Sequence, residues 1–520
     1  MTEPRTIATL LGELTRAQLV VGDAAAGISG IEHDSRRVQP GTLFVAVPGF
    51  VVDGHAYLRD VTAKGAAALL VQRDHRAAWQ SLVAEAGADI HGPAIIAVDD
   101  TRTALPKAAA WYYGHPGREL VVIGVTGTDG KTTTSHLLTS VLEAAGVKVG
   151  RLGTVDTYMP GETGKVTDRM TTPEAPEVQR LLRRMVDVGS DFAIVESTSH
   201  GLALHRLDDV EYDFAVLTNI TGDHLDFHKT FEAYREAKGM LFEALDTAAD
   251  KGVPKVAILN ADDPSASWIR GRTKAEAITY GLDAREADVM AHNIVLRPDG
   301  SEFRLVTPNG RAETTIALPA LFNVMNALAA AGGGLAAGLD VQTIARGLAQ
   351  CPGVPGRMER IAAGQPFDVI IDYAHTGDAV RKVLEVLRDV TKGRLIIVVG
   401  AAGERDPGRR FGVGRAAAAG ADFAVFTNED PRSEDPTAIV HEIGTHAEGA
   451  GRTRGRDFVE IEDRREAIAH AFAQAEPGDI VVVCGKGHEK SMVFGDGSHP
   501  WDDRDVAREE LAKLGYAGAG

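Results

Sequence analysis

Short apolar runs recur along the chain, separated by segments with the spacing of amphipathic helices. Leu120-Val121-Val122-Ile123-Gly124-Val125, Phe192-Ala193-Ile194-Val195, Phe214-Ala215-Val216-Leu217 and Val256-Ala257-Ile258-Leu259 read as strands buried on both faces. Strands that alternate with helices in this order predict a mostly parallel, doubly wound sheet. Upstream, Leu43-Phe44-Val45-Ala46-Val47 and Ala67-Ala68-Leu69-Leu70-Val71 lie between Gly- and Pro-bearing turns and predict a small α/β domain. Downstream, Val369-Ile370-Ile371, Leu395-Ile396-Ile397-Val398-Val399, Phe423-Ala424-Val425-Phe426 and Ile480-Val481-Val482-Val483 predict a Rossmann-like sheet. The Ala/Gly-rich residues 326–338 read as a tightly packed helix that runs into a glycine-broken turn. Boundaries at Tyr113-Gly114-His115-Pro116-Gly117 and Pro352-Gly353-Val354-Pro355-Gly356 give an α/β chain of three domains, residues 1–117, 118–351 and 352–520.

A length of 520 residues with 44% hydrophobic content supports several cores. The formal net charge of −18 argues against nucleic acid or an anionic membrane as partner. Cys351 and Cys484 are the two cysteines, with no CxxC, so neither a disulfide framework nor a structural zinc site is indicated. The N-terminal Met1-Thr2-Glu3-Pro4-Arg5 lacks a signal pattern, and no long apolar span occurs. The expectation is a soluble, cytoplasmic protein.

The strongest chemical signal is Gly127-Thr128-Asp129-Gly130-Lys131-Thr132, between a strand and a predicted helix. Glycines let backbone N–H groups close around phosphate oxygens, and the helix N-terminus adds partial positive charge. Lys131 is placed to reach the β- and γ-phosphates of ATP, and Thr132 to hold Mg²⁺. The usual spacing puts a glycine where Val125 stands, so the loop is a variant. Glu196 and His224 follow strands, where open α/β sheets bind ligands, and Glu196 with Thr132 offers hard oxygen ligands to magnesium. Asn260, Asp262 and Asp263 follow another strand, positioned either to contact a nucleotide or to cap the next helix. Lys238 reads by default as an exposed helix lysine.

In the last third, Arg405 and Arg432 follow strands, and guanidinium forks hold carboxylates bidentately. Glu429, Asp430 and Glu489 are suited to neutralising amino groups. The combination fits a zwitterionic amino-acid substrate.

Together these motifs resemble the Mur ligases of bacterial cell-wall synthesis, and most of all the muramyl-tripeptide synthetases, from residue 28 to 510. Asp34-Ser35-Arg36, Pro40-Gly41-Thr42-Leu43-Phe44-Val45-Ala46 and Asp53-Gly54-His55 resemble the domain that holds the UDP moiety, with Ser35 matching a substrate contact. The loop through Thr133 matches the family's variant phosphate loop. The resemblance implies that Thr171, Thr172, Thr198 and Arg206 contact UDP-MurNAc-dipeptide, with Leu204 where the family commonly has Gln. It assigns Glu196 and His224 to Mg²⁺, and Lys238 to a CO₂-derived carbamate that joins them as a metal ligand. Asn323, Arg357 and Asp372 match segments around ATP, and Gly377 stands where the family usually has Pro, which predicts a looser turn. The resemblance further implies transfer of the γ-phosphoryl of ATP to the D-Glu carboxylate, then attack by the amine of a diamino acid. Lys131, Lys238, Glu196 and His224 would be the catalytic set, in a monomer acting on small molecules.

The recognition loop Glu429-Asp430-Pro431-Arg432, with Gly485 and Glu489, resembles the diaminopimelate-adding type, whose motif is Asp-Asn-Pro-Arg. Asp430 in place of Asn adds a negative charge suited to the bare ammonium of lysine or ornithine, so both substrate types stay open. The D-Ala-D-Ala-adding synthetase is opposed by this loop and Glu489, and folylpolyglutamate synthase by the Asp34-Ser35-Arg36 domain. A non-catalytic scaffold is opposed by the presence of Lys131, Glu196 and Lys238.

Overall fold

The apolar runs form strands whose residues are buried on both faces, as sheets covered by helices on both sides require. The computed structural model describes residues 5–50, 52–88, 92–162, 171–222, 225–284, 286–406 and 408–516, leaving out the side chains of residues 84–88, 225 and 226. The chain divides into two compact units, residues 1–289 with 329–340, and residues 290–328 with 341–520.

The first unit contains two sheets. One comprises β1 (Gln18–Val21), β2 (Gly30–Glu32), β3 (Thr42–Val45), β4 (Ala68–Gln72) and β5 (Ala94–Val98) in the order β1-β5-β4-β3-β2, with only β1 antiparallel to its neighbour. Leu43, Leu70 and Ile96 pack on one face with Leu105 and Ala108, while Phe44, Leu69 and Ile95 pack on the other with Val61 and Trp79.

The second sheet holds β6 (Val121–Thr126), β7 (Val149–Leu152), β8 (Thr157–Tyr158), β9 (Phe192–Glu196), β10 (Phe214–Leu217), β11 (Val256–Asn260) and β12 (Glu276–Gly281). These run in the order β8-β7-β9-β6-β10-β11-β12 and are parallel except for the β7–β8 hairpin. The chain leaves β9 on one side of β6 and resumes at β10 on the other, so β6 lies at the switch in strand order where such sheets bind ligands. Asp213, fully buried, fixes the amino ends of β6 and β10. Its carboxylate accepts from the Val122 N–H at 2.8 Å and pairs with Lys251 at 2.5 Å and Lys255 at 2.9 Å.

In the second unit β13 (Val289–Arg297), β14 (Gly300–Thr307) and β15 (Gly310–Ile316) form an antiparallel meander. The sequence reading names no strand here. Burial alternates along β14 and β15, so the segment lacks the continuous apolar runs that mark the other strands. A further sheet has β16 (Glu359–Ile361), β17 (Asp368–Asp372), β18 (Leu395–Val399), β19 (Phe423–Phe426), β20 (Phe458–Glu460) and β21 (Ile480–Cys484) in the order β16-β17-β21-β18-β19-β20, parallel apart from β16. The hairpin of β22 (Ser491–Phe494) and β23 (Gly497–Pro500) follows it.

The Ala/Gly-rich stretch is the helix Leu321–Ala336, closed by Gly338 at φ 79°. A Cβ at Gly333 would lie 2.9 Å from Leu138, so glycine there allows close helix packing. Gly377 does not loosen a turn. It opens the helix Gly377–Val390 next to the cap Thr376, whose hydroxyl accepts from the Ala379 N–H, and a Cβ on it would meet the Gly412 backbone at 2.6 Å. Among the described residues no helix is long and apolar enough to cross a membrane.

Arg464 locks the second unit's loops together. Fully buried, its guanidinium donates to Asp503 through two bonds of 2.8 and 2.7 Å, to the Asn428 carbonyl at 3.1 Å and to the Cys484 carbonyl at 2.9 Å. Removing one partner of a buried ion pair strands the other charge. Asp503→Ala is therefore expected to lower the unfolding free energy by about 3–5 kcal/mol in denaturant titration, with part recovered by the apolar double replacement Arg464→Met/Asp503→Leu.

Candidate active site

After β6 the chain must turn sharply into the helix Lys131–Glu143, and two glycines make the turn. Gly127 has φ 152° and Gly130, the helix N-cap, has φ 84°. A Cβ at Gly127 would sit 1.8 Å from the Thr218 hydroxyl, so only glycine lets the loop lie against the end of β10. That approach is bonded throughout. Thr128 N–H donates to the Asn219 carbonyl (2.8 Å), Asp129 N–H to Asn219 Oδ1 (3.0 Å) and Thr218 Oγ1 to the Asp129 carbonyl (2.6 Å). The Thr128 hydroxyl meets Tyr234 at 3.0 Å. The Lys131 ammonium folds over the loop, donating to the carbonyls of Gly127 and Thr128 at 2.9 Å each. Thr132 and Thr133 are buried in the first helical turn.

Glu196 ends β9 with its side chain buried, a placement that demands hydrogen-bond donors. Thr132 Oγ1 donates to Oε2 at 3.0 Å, Thr154 Oγ1 to Oε2 at 2.8 Å and the Thr154 N–H to Oε1 at 3.2 Å. The threonines expected to contact substrate adjoin this cluster. Thr171 Oγ1 lies 3.0 Å from Thr154 Oγ1, Thr172 Oγ1 donates to the Glu196 carbonyl at 3.0 Å, and Thr198 Oγ1 donates to Thr172 Oγ1 at 3.0 Å. Arg206 donates to the Thr172 carbonyl at 3.1 Å and pairs with Glu174 at 2.7 Å. Five of the predicted residues, Thr132, Glu196, Thr171, Thr172 and Thr198, thus form one connected group. Ser35 stands apart on the loop after β2, where its carbonyl accepts from Lys64 at 2.9 Å.

Lys238 is not the exposed helix lysine that its local sequence suggests. It is buried in the helix Phe231–Thr247, its ammonium 2.7 Å from the Gly127 carbonyl and 4.5 Å from the centre of the Tyr234 ring. The expected metal ligand His224 lies outside the described residues. Asn260, Asp262 and Asp263 brace loops and do not cap the helix Ala266–Arg270, whose N-cap Ser265 makes no side-chain cap bond. Asn260 donates to the Thr218 carbonyl, Asp262 accepts from the Leu282 and Ala284 N–H groups, and Asp263 accepts from Ile220 and Ser265.

In the second unit the parallel strands bring four loops to one edge. Asp372, buried at the end of β17, accepts from the N–H groups of Met358 and Ala374 at 2.8 Å each, and burial raises its pKa. Arg357 lies over the Tyr373 ring at 4.5 Å. Asn323 is occupied within its own helix start, donating to the Pro319 carbonyl and accepting from Asn326.

The loop after β19, expected to bind the amino acid, is held by the β22 strand. Asp430 Oδ1 accepts from the Val493 N–H at 2.9 Å, and the Arg432 N–H donates to the Val493 carbonyl at 2.9 Å with Arg432 at φ 57°. Pro431 is buried between them, and its carbonyl closes on Gly403. Lys486, buried, pairs with Asp430 at 2.7 Å and Glu489 at 2.5 Å. Glu429 is buried against Gly485 with no hydrogen-bond partner for Oε2 among the described residues, and desolvation pushes its pKa up to about 7 against the pull of Arg464 and Lys486. Arg432 Nε is likewise buried without a hydrogen-bond partner among the described residues. Arg405 is exposed on the loop after β18.

Sequence reasoning assigned no role to Thr154 or Lys486. The segment Gly485-Lys486-Gly487-His488-Glu489 was a signal for Lys486, whereas nothing local marks Thr154. Asp53, His55 and His75 bring potential metal ligand atoms within 4.8 Å of one another. His55 Nε2 accepts from the Gln72 N–H, however, which puts the ring proton on Nδ1 facing Asp53 at 2.7 Å. That lone-pair arrangement serves a hydrogen bond, not a metal. Thr132 and Glu196, by contrast, are hard oxygen donors beside a phosphate loop and fit Mg²⁺.

The Mur ligase middle domain model matches residues 125–333, the Mur ligase, glutamate ligase domain model residues 356–487, and the Mur ligase family, catalytic domain model residues 27–113. A UDP-N-acetylmuramyl-tripeptide synthetase of Roseiflexus sp. (strain RS-1) is 46% identical over 500 residues, covering 94% of this chain and 96% of that protein. A UDP-N-acetylmuramoyl-L-alanyl-D-glutamate--2,6-diaminopimelate ligase of Bacillus licheniformis is 41% identical over 505 residues, covering 97% and 99%. A solved structure with that same enzyme name is 28% identical with a TM-score of 0.67, covering 99% of this chain and 100% of its own. MurF from Acinetobacter baumannii, 22% identical with a TM-score of 0.63 over 99% of both chains, shares the fold. Near-full-length identity at this level, on three matched domains, means that the chain belongs to the Mur ligase family, and within it to the UDP-N-acetylmuramyl-tripeptide synthetase, or MurE, type.

Proposed function

We infer that this chain is an ATP-dependent, ADP-forming ligase that joins meso-diaminopimelate to UDP-N-acetylmuramoyl-L-alanyl-D-glutamate in peptidoglycan synthesis. The observation that carries the reading is the Thr132 hydroxyl 3.0 Å from buried Glu196 behind a glycine phosphate loop, in a chain whose relatives are named for this reaction. Residues 1–117 would hold the UDP moiety, 118–351 the ATP and 352–520 the amino acid. The protein would work in the cytoplasm, consistent with two buried free cysteines, and as a monomer.

The D-Glu side-chain carboxylate attacks the γ-phosphorus of ATP, ADP leaves, and an acyl phosphate forms. The amine of the amino acid then attacks the acyl carbon, loses a proton, and phosphate departs. Lys131, released from the Gly127 and Thr128 carbonyls, neutralises the transferring phosphoryl group, and the loop N–H groups cradle the phosphates. Thr132 and Glu196, with His224, would hold Mg²⁺, which when bound would supply charge neutralisation on the phosphate oxygens. Thr171, Thr172, Thr198 and Arg206 orient the UDP substrate, with Ser35 at its nucleotide end. Asn323, Arg357 and Asp372 serve ATP.

The choice of amino acid turns on Asp430. Its extra charge relative to Asn is matched by buried Lys486 and the Val493 N–H, so it is not left to draw a bare ammonium. Arg432 keeps an Nε without a partner among the described residues for a distal carboxylate, with Arg405 as a second guanidinium, while Glu429 beside Gly485 would take the distal ammonium and Glu489 shares Lys486 with Asp430. This favours diaminopimelate over lysine or ornithine.

Phosphate release from ATP, Mg²⁺ and UDP-MurNAc-L-Ala-D-Glu, measured across diaminopimelate, lysine, ornithine and D-Ala-D-Ala, tests the reading. Release should depend on diaminopimelate, and no release with any diamino acid would overturn it. Lys131→Ala is expected to cut turnover on the order of 10²–10³-fold or more. Wild-type turnover in that variant would remove the lysine from the mechanism.

A carbamate on Lys238 is supported by the burial of its amine beside the phosphate loop. Lys238→Ala should lose activity and regain part of it with added short carboxylates. Failure of every carboxylate to restore turnover counts against the carbamate.

Glu429 generates a pH dependence. With its pKa pushed up to about 7, the carboxyl is neutral below that pH and cannot pair with the substrate ammonium. The KM for diaminopimelate should therefore rise as pH falls below about 7, and Glu429→Gln should flatten that limb. The sign for stability is opposite. Between its ordinary value of 4.5 and about 7 the folded state keeps a proton that the unfolded state has lost, so this group's contribution falls as pH rises through that window.

A further inference from the structure

We propose that Thr154 is a positioning residue that orients Glu196 for the divalent ion and links that carboxylate to Thr171. The proposal rests on the phosphate-loop reading above. Thr154 sits in the turn between β7 and β8, and the turn presses on the carboxylate. A side chain at Gly153 would come within 2.3 Å of Glu196 Oε1, so the backbone itself approaches the acid.

From that turn Thr154 makes two different bonds to one group, its N–H to Oε1 at 3.2 Å and its hydroxyl to Oε2 at 2.8 Å. A hydroxyl has one hydrogen. With that hydrogen on Glu196, the 3.0 Å contact to Thr171 must be donated by Thr171. An ordered chain of O–H groups therefore runs from Thr171 through Thr154 to Glu196. Oε2 accepts two hydroxyls, whereas Oε1 accepts the single Thr154 N–H and keeps a lone pair, which is where an ion would attach.

The turn is itself braced. Arg151, buried, donates to Asp156 at 2.9 Å and to the Thr139 hydroxyl at 2.9 Å, closing the hairpin on the phosphate-loop helix. Partners of this kind fix the direction of a metal-binding side chain, and their loss typically weakens metal affinity 10–100-fold. Valine at position 154 keeps the shape and the N–H bond while removing the hydroxyl, so the lower end of that range applies.

The experiment is calorimetric titration of the full-length protein with a non-hydrolysable ATP analogue at a series of Mg²⁺ concentrations, with melting curves for each variant. Thr154→Val should raise the half-saturating Mg²⁺ concentration by about tenfold, and Thr154→Ser should return it to within about twofold of the wild type. If the valine variant does not fold, Thr154→Ala carries the same expectation. A valine or alanine variant that titrates like the wild type overturns the proposal, as does a serine variant as impaired as they are. Wild-type protein that binds no nucleotide at all would overturn the phosphate-loop reading itself, and the proposal with it.

Discussion

A buried carboxylate must be supplied with donors, and meeting that demand for Glu196 organises the first unit's site. Its oxygens recruit Thr132 from the first turn of the phosphate-loop helix and Thr154 from the β7–β8 turn, and its carbonyl recruits Thr172 from the segment before the helix Ala175–Asp187. Three segments distant in sequence are thereby fixed relative to one side chain. The arrangement is possible because β6, β7 and β9 are parallel neighbours, so the loops after them emerge at the same edge.

The second unit solves a similar problem with the opposite charge. Arg464 is buried beneath the loops after β19 and β21, and its guanidinium is satisfied by Asp503 and by the Asn428 and Cys484 carbonyls. The same burial leaves Glu429, the next residue after Asn428, with one oxygen unpartnered and a pKa pushed up to about 7. A satisfied charge that rigidifies a loop beside a buried, unsatisfied one is the pattern expected where a ligand completes the hydrogen bonding. Lys486, buried, carries the rest of the balance, since it turns Asp430 from a free anion into an ion-pair partner.

Close backbone approach is the other shared device. Gly127 against Thr218, Gly153 against Glu196 and Gly356 against His488 all lie nearer to a neighbour than any Cβ permits. At each, the absent side chain is what brings a loop within hydrogen-bonding range of a second one.

The sequence by itself determined the α/β architecture, the parallel strands and the phosphate loop. Apolar runs, turn glycines and a helix start are properties of neighbouring residues. It also placed Glu196 and the Glu429–Arg432 loop at strand ends, because in a parallel sheet those positions follow from strand order. Only the tertiary structure decided that Lys238 is buried against the Gly127 carbonyl, that Thr154 holds Glu196, and that Lys486 neutralises Asp430. The same is true of Asn260 and Asp263 as loop braces and Gly377 as a helix contact. In most of these cases the partners lie tens of residues apart or more, and whether a polar side chain is solvated, paired or stranded depends on what the fold brings against it.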